Sequence, residues 1–92
     1  MSAETYLNHP DFGLLFRICL VDGDKELFTT LYAQRLFFLA KVDRAAGLLF
    51  DPIGRTEARM MIEQRLRILR QAGHRSDFES LNKVYKRTFQ HQ

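Results

Sequence analysis

The side chains best suited to chemistry in this 92-residue sequence are three histidines and one cysteine. Histidine can bind a metal or move a proton, and a cysteine thiolate can act as a nucleophile. His9, His74 and His91 lie far apart, and no spacing places a second metal ligand beside any of them on one helical face. Cys19 lies within an apolar run, where a thiol behaves as a small hydrophobic side chain. The sequence therefore predicts no metal site, no cofactor and no catalytic residue.

Other catalytic patterns are also missing from the sequence. It contains no glycine-rich phosphate loop, no nucleophile-elbow serine and no pair of carboxylates set to face each other across a cleft. A chain of this length forms one small domain, and it needs nearly all of its large apolar residues for the core. We therefore expect a protein that binds other proteins and is not an enzyme.

Aromatic residues are concentrated in the first part of the chain. Eight of them lie within residues 1–53: Tyr6, Phe12, Phe16, Phe28, Tyr32, Phe37, Phe38 and Phe50. Because strand side chains alternate, Phe37 and Phe38 should point to opposite faces of a sheet, and one of them should lie on its outer face. Exposed aromatics beside an arginine are typical of protein interfaces. The alternative, a sheet covered on both faces, remains open at this point.

Charge divides the chain in a similar way. Residues 1–53 contain five basic and seven acidic residues, net −2, whereas residues 54–92 contain nine basic and four acidic residues, net +5. The basic half could face water, an acidic protein or nucleic acid. A single cysteine and the lack of any long apolar run favour a cytoplasmic protein that is neither exported nor membrane-bound.

The first half has the pattern of an antiparallel sheet. Short runs rich in aromatic and aliphatic residues occur at 13–21, 26–32, 35–42 and 48–53. The connector 22–24 contains Gly23 between two aspartates and fits a tight hairpin, and 43–47 fits a longer one. Pro52 should lie in an edge strand or at a strand end. We expect these strands to curl into a small barrel.

Helical periodicity begins after Gly54. One helix is predicted over 55–72, with Gly73 as its stop, and Ser76 with Glu79 has capping-box spacing for the start of a second helix. Each helix has one apolar stripe: Ala58, Met61, Ile62, Leu66 and Leu69 on the first, and Phe78, Leu81, Tyr85 and Phe89 on the second. The short connection predicts antiparallel neighbours.

Several segments together resemble the PipX family, the cyanobacterial PII-interacting proteins. They are YLNHP at 6–10, FGLL at 12–15, LYAQRLFFL at 31–39, GR at 54–55 and EARM at 57–60. The resemblance extends from about residue 4 to residue 89 and is far more specific than any one short motif. It implies an α+β fold in which residues 1–53 form a Tudor-like (SH3-like) antiparallel β-barrel and residues 54–92 form two C-terminal helices.

The resemblance also implies a function. A PipX-like protein is a regulatory adaptor of nitrogen signalling that exchanges between two partners. The PII trimer holds it when 2-oxoglutarate is scarce, and the transcription factor NtcA binds it as a coactivator when 2-oxoglutarate is abundant. The effectors belong to the partners, and no direct DNA contact is expected. The basic helices are left for a third contact, for which RNA polymerase is a candidate.

By the same resemblance, one surface of the barrel binds both PII and NtcA. Its expected residues are Glu4, Tyr6, Phe12, Tyr32, Gln34, Arg35, Leu36 and Phe38. Strand alternation places Tyr32, Gln34 and Leu36 on one face, which we expect to be the partner-facing one. The alternative function is a small basic nucleic-acid-binding module of SH3-like barrel type. The net negative charge of the barrel half argues against that alternative.

Overall fold

The computed structural model describes residues 6–30 and 36–89 of the chain. Five strands precede two helices: β1 Tyr6–His9, β2 Gly13–Asp22, β3 Lys25–Thr30, β4 Phe37–Asp43, β5 Gly47–Ile53, α1 Arg55–Ala72 and α2 Arg75–Phe89. Each strand pairs antiparallel with its neighbour along the chain, in the order β1-β2-β3-β4-β5. The sheet curls into a half-barrel, and the helices form a hairpin. This confirms the predicted α+β fold of Tudor-like type.

The two predicted hairpins are confirmed. Asp22 pairs with Lys25, so the first hairpin has a two-residue loop. Asp43 pairs with Gly47 across a three-residue loop, in which Asp43 Oδ1 accepts the N–H of Ala45 at 2.8 Å. Gly47 has φ +83°, a backbone conformation that costs glycine little and other residues more. Pro52 lies in β5, an edge strand, where its missing N–H interrupts no central ladder.

Strand β1 is absent from the sequence-based assignment. It has only four residues, and its pairing with β2 depends on a three-residue loop closed by His9 and Gly13. Gly13 has φ +77°, as this class of hairpin requires. The Pro10-Asp11 pair before a glycine is a turn signal that could have revealed the hairpin. Its importance is that it places Phe12 at a hairpin tip.

The sheet separates two hydrophobic clusters. Phe37 belongs to the one beneath the helices, where its ring stacks on that of Phe89 at 5.5 Å. Phe38 belongs to the other, on the concave face, with Leu15, Phe28 and Ala40. Their opposite directions are as predicted, but the expectation that one would lie exposed is wrong, because Phe37 is 1% and Phe38 4% exposed. Curling of the sheet encloses the second face, and the helices cover the first.

Helix α1 has the predicted bounds, and its stop is well defined. Gly73 has φ +77°, and its N–H donates to the carbonyl of Arg70 at 3.2 Å, while the N–H of His74 donates to that of Leu69 at 3.0 Å. These two bonds form a Schellman motif, which satisfies carbonyls that the helix end leaves free. The apolar stripes of both helices face the core, with Ala58, Ile62, Leu66, Leu69, Leu81 and Tyr85 all buried. Met61, which was predicted in the α1 stripe, is only half-buried and lies outside this core cluster.

Helix α2 begins earlier than the predicted capping box. It starts at Arg75, and the N–H of Phe78 donates to the carbonyl of His74 at 2.9 Å. Ser76 therefore lies inside the first turn, and its assignment as the capping residue is wrong. The physical reason is the left-handed turn at Gly73, which redirects the chain at once and lets the next helix begin at the following residues.

The helices are joined by contacts that pair the start of α1 with the end of α2. Arg55 Nη2 donates to the carbonyl of Thr88 at 2.9 Å, and the Tyr85 hydroxyl donates to Glu63 Oε2 at 2.5 Å. This order confirms the antiparallel arrangement. In the part of the chain that the structure covers, neither helix combines the length and apolar character that crossing a bilayer requires.

Candidate protein-binding site

Three of the eight expected partner-binding residues lie exposed on the half-barrel. Tyr6 is on β1, Phe12 is at the tip of the β1–β2 hairpin, and Leu36 directly precedes β4. These residues are 47%, 47% and 45% exposed, within the range of the other exposed apolar residues of the described chain. A fourth, Phe38, is buried. The remaining four, Glu4, Tyr32, Gln34 and Arg35, lie outside the described residues.

Phe12 is supported by an aromatic cluster, which we name the hairpin cluster: His9, Phe12, Phe38 and Phe50. The Phe12 ring lies 5.0 Å from that of His9 and 5.3 Å from that of Phe38. His9 stacks on Phe38 at 5.4 Å and meets the edge of Phe50 at 5.1 Å. Such distances are those of favourable aromatic pairs. Phe12 is therefore an exposed ring that packs against the buried Phe38 and the half-buried His9.

His9 fixes the hairpin tip through its ring nitrogen. Its Nδ1 accepts the N–H of Asp11 at 3.0 Å and the N–H of Phe12 at 3.3 Å, which requires Nδ1 to carry no proton. His9 ends β1 and is half-buried, although the sequence-based assignment placed it in no strand. It was not predicted from the sequence that His9 and Phe50 support the tip of the β1–β2 hairpin. The one signal in the sequence for this hairpin is the turn-forming Pro10.

Tyr6 lies on the other face of the β1–β2 ribbon. It pairs directly with Phe16, and the two rings are 5.8 Å apart. Because side chains alternate along β1, Tyr6 points away from the face that His9 occupies. Phe12 and Tyr6 thus flank the edge strand β1, one at its end and one on its outer side.

Leu36 is tied to β3 through its backbone. Its carbonyl accepts the N–H of Thr30 at 3.2 Å and the hydroxyl of Thr29 at 2.8 Å. These bonds fix the backbone at Leu36, while its side chain remains nearly half exposed. The structure therefore presents a third exposed apolar residue directly before the strand that carries Phe38.

The structure supports core packing for Cys19. The thiol is buried beneath the helices among residues such as Leu27 and Leu81, and burial raises its pKa to about 12, against the opposing influence of Arg65 and Arg17. A thiol with such a pKa is a poor nucleophile near neutral pH. Within the described residues, no three histidine, cysteine or acidic side chains come together as a metal site would require.

Some of the basic side chains of the helices are engaged within the chain. The Arg55 guanidinium lies 4.8 Å over the ring of Phe89, and that of Arg70 lies 5.1 Å over the ring of Phe78. Arg59 Nε donates to Glu63 Oε2 at 3.2 Å. These contacts are made within the helical hairpin, and all three arginines remain exposed.

Two comparisons with known proteins bear on the family of this chain. Individually curated proteins give no match to the chain. A family model described as PipX: PII-interacting protein X matches residues 3–89, which include all five strands and both helices. The chain therefore belongs to the PipX family of PII-interacting proteins, which are regulatory proteins and not enzymes.

Proposed function

We propose that this protein binds PII through the edge of its half-barrel at β1, with Phe12 as an anchor. The observation that carries the proposal is the exposed Phe12 ring on its buried aromatic support. A rigid aromatic side chain loses little conformational entropy when it enters a partner's pocket, and such residues supply much of the binding energy of protein interfaces. We include in the interface two further exposed side chains, Tyr6 on the other face of β1 and Leu36 directly before β4.

The rest of the proposed interface follows the family resemblance. Glu4, Tyr32, Gln34 and Arg35 are proposed contact residues. Phe38 acts from beneath, because its buried ring contacts Phe12 and holds it at the hairpin tip.

We further propose that NtcA binds the same surface. A coactivator that binds only the DNA-competent state of a transcription factor shifts the population towards that state by its differential affinity. PII would compete for free coactivator, so 2-oxoglutarate, acting on PII and NtcA, would decide which partner holds this cytoplasmic protein. The exposed basic side chains of the helices remain for a third contact, for which RNA polymerase is a candidate.

Co-purification over a range of 2-oxoglutarate concentrations tests this function. Immobilised chain should retain PII without 2-oxoglutarate and release it as the metabolite is added, whereas retention of NtcA should rise. A Phe12→Ala chain is the matched control and should lose both partners. Retention of PII that does not change with 2-oxoglutarate would contradict the switching, and failure to retain PII at all would contradict the proposed interface.

Salt dependence separates this function from nucleic-acid binding. Phosphate binding loses affinity linearly in log salt, with a slope set by the number of phosphates contacted. An interface centred on aromatic side chains should respond weakly. We expect no DNA binding at physiological salt, because the half-barrel is net acidic and three helix cations are engaged internally. Steeply salt-dependent DNA binding would favour the alternative.

A further inference from the structure

A cleft lies at the junction between β2 and the two helices, away from the hairpin cluster. Its volume is about 390 Å³, within the range of roughly 300 to 1,000 Å³ that is usual for small-molecule sites. All three elements contribute to its wall. Its polar lining includes Arg17, Arg65, Asp77 and Ser80, and Leu69 and Leu81 provide apolar wall.

The cleft has one cation without a partner. Arg65 is half-buried, and no carboxylate of residues 6–30 or 36–89 for which a side chain is described lies within 4.0 Å of its guanidinium. Arg17 Nε lies 3.1 Å from Glu26 Oε2, although the angle is not that of a hydrogen bond. Arg17 and Arg65 line the same cleft as Cys19.

The charged side chains that line the cleft indicate which class of ligand it could bind. Glu26 offsets Arg17, and Asp77 lines the same cleft, so the site suits one negative charge better than two or more. The buried leucines of the wall favour a ligand with a hydrocarbon part over a bare inorganic anion. We propose that this cleft binds a small organic monocarboxylate, whose carboxylate pairs with Arg65 and whose hydrocarbon part packs against Leu69 and Leu81.

Binding at this place would act on the whole hairpin. The ligand would touch β2, α1 and α2 together, so it would stabilise the helices in their position on the sheet. It would also cover Cys19, the one cysteine of the chain. Occupancy should therefore slow alkylation of Cys19. This reaction can be measured on the chain alone, without PII or NtcA.

The test is an amide NMR titration of the full chain with pentanoate at constant ionic strength. We expect saturable shifts centred on Cys19, Arg65 and Ser80, with a dissociation constant of about 1 to 10 mM, as is usual for a ligand of so few atoms. Pentanamide has the same shape without the charge, and inorganic phosphate has charge without a hydrocarbon part. Both should bind at least about tenfold more weakly, because each lacks one of the two interactions.

Variants of the chain complete the test. Arg65→Gln should weaken pentanoate binding about tenfold or more, while Arg65→Lys, which keeps the charge, should retain most of it. Arg67→Gln removes the same charge from an exposed position on the same helix that does not line the cleft, and should bind as the unmodified chain does. Equal shifts with pentanamide, shifts that never saturate, or no protection of Cys19 would overturn the proposal. If Arg65→Gln does not fold, the comparison of pentanoate, pentanamide and phosphate on the unmodified chain still tests the proposal.

Discussion

At the scale of single residues, Phe12 and Phe38 touch each other yet are exposed to different degrees. Phe12 is nearly half exposed, whereas Phe38 is buried in the concave cluster. Truncating an exposed interface aromatic lowers affinity, and truncating a buried aromatic lowers stability. Substitution of Phe12 should therefore change mainly the affinity for PII, and substitution of Phe38 should change mainly the stability of the fold.

Phe12→Ala should weaken PII binding by about tenfold or more while the thermal midpoint changes little, because the ring is lost from the surface and not from the core. Phe38→Ala should instead lower the free energy of unfolding by about 3 to 5 kcal/mol. Calorimetry of binding and thermal denaturation measure the two effects. Leu48→Ala, at an exposed position in the opposite edge strand β5, is the surface control and should change neither. Unchanged PII affinity in Phe12→Ala would contradict the proposed anchor.

Tyr32 is the second residue-scale prediction, made from strand alternation and the family resemblance. Tyr32→Ala should leave a folded domain and weaken capture by PII about tenfold or more. In a cell with both partners, weaker capture should raise NtcA-dependent transcription under nitrogen-rich conditions, if NtcA tolerates the truncation better. Phe37→Ala, a core aromatic five positions away, is the matched control and should unfold the barrel. A Tyr32→Ala chain that unfolds in the same way would assign Tyr32 to the core.

At the scale of secondary-structure elements, one carboxylate joins the two helices. Glu63 Oε2 accepts hydrogen bonds from the Tyr85 hydroxyl and from Arg59. The Tyr85 hydrogen bond, followed by the interactions with Arg59, holds the pKa of Glu63 below its ordinary value. The stabilisation is therefore present above the ordinary pKa of about 4.3 and is lost as pH falls through the lower pKa of the folded state.

Tyr85→Phe should loosen α2 without unfolding the sheet. We expect hydrogen exchange over residues 81–88 to become about fivefold faster at neutral pH, because one interhelical hydrogen bond is lost. As pH falls through the lowered pKa of Glu63, the difference between the variant and the unmodified chain should shrink, since protonated Glu63 accepts less strongly. An equal difference at all pH values would show that the loss comes from packing of the ring.

Cys19 reports whether α2 detaches from the sheet. We expect alkylation at pH 8 to be slow in the free chain, because a pKa of about 12 leaves only about one thiol in ten thousand ionised. Binding of a partner that displaces α2 would uncover the thiol and speed the reaction. Mass spectrometry of the alkylated chain with and without PII measures this. Equal and slow labelling in both states would rule detachment out, and denatured chain gives the upper limit of the rate.

At the scale of the whole molecule, the proposed interface occupies one edge of a half-barrel. Tyr6 lies in β1, Phe12 at the tip of the β1–β2 hairpin and Leu36 directly before β4, while α1 and α2 cover the cluster that contains Phe37. A standard interface needs about 800 Å² from each partner. The small sheet therefore offers one such surface, which two partners would have to share.

PII and NtcA should exclude each other from one copy of the chain. In analytical ultracentrifugation, adding NtcA with 2-oxoglutarate to a complex of the chain with PII should yield separate complexes, because both partners would need the β1 edge. A stable ternary species would contradict the shared surface. An Arg67→Ala chain, changed on a helix far from Phe12 in sequence, should behave as the unmodified chain.

Many secondary-structure features of this protein could be predicted from the sequence alone, because they depend on residues that are close together in the chain. The bounds of α1 depend on side-chain periodicity, and the stop at Gly73 and the hairpin at Gly47 depend on glycine's backbone freedom. The family itself was also recognisable from short segments that span the chain. Two local expectations failed. The strand β1 was missed because it is too short to give a periodic signal. Helix α2 begins directly after the Schellman turn, before the predicted capping residue Ser76.

Only the tertiary structure decided which aromatics are buried. Alternation placed Phe37 and Phe38 on opposite faces, but whether a face meets solvent depends on curling of the sheet and on the position of the helices, which no local pattern encodes. The support of Phe12 by His9 and Phe50 has the same origin, since residues from β1 and β5 meet there only through the fold. The cleft between Arg17 and Arg65 likewise exists because packing brings β2 and α1, nearly fifty positions apart, to one place.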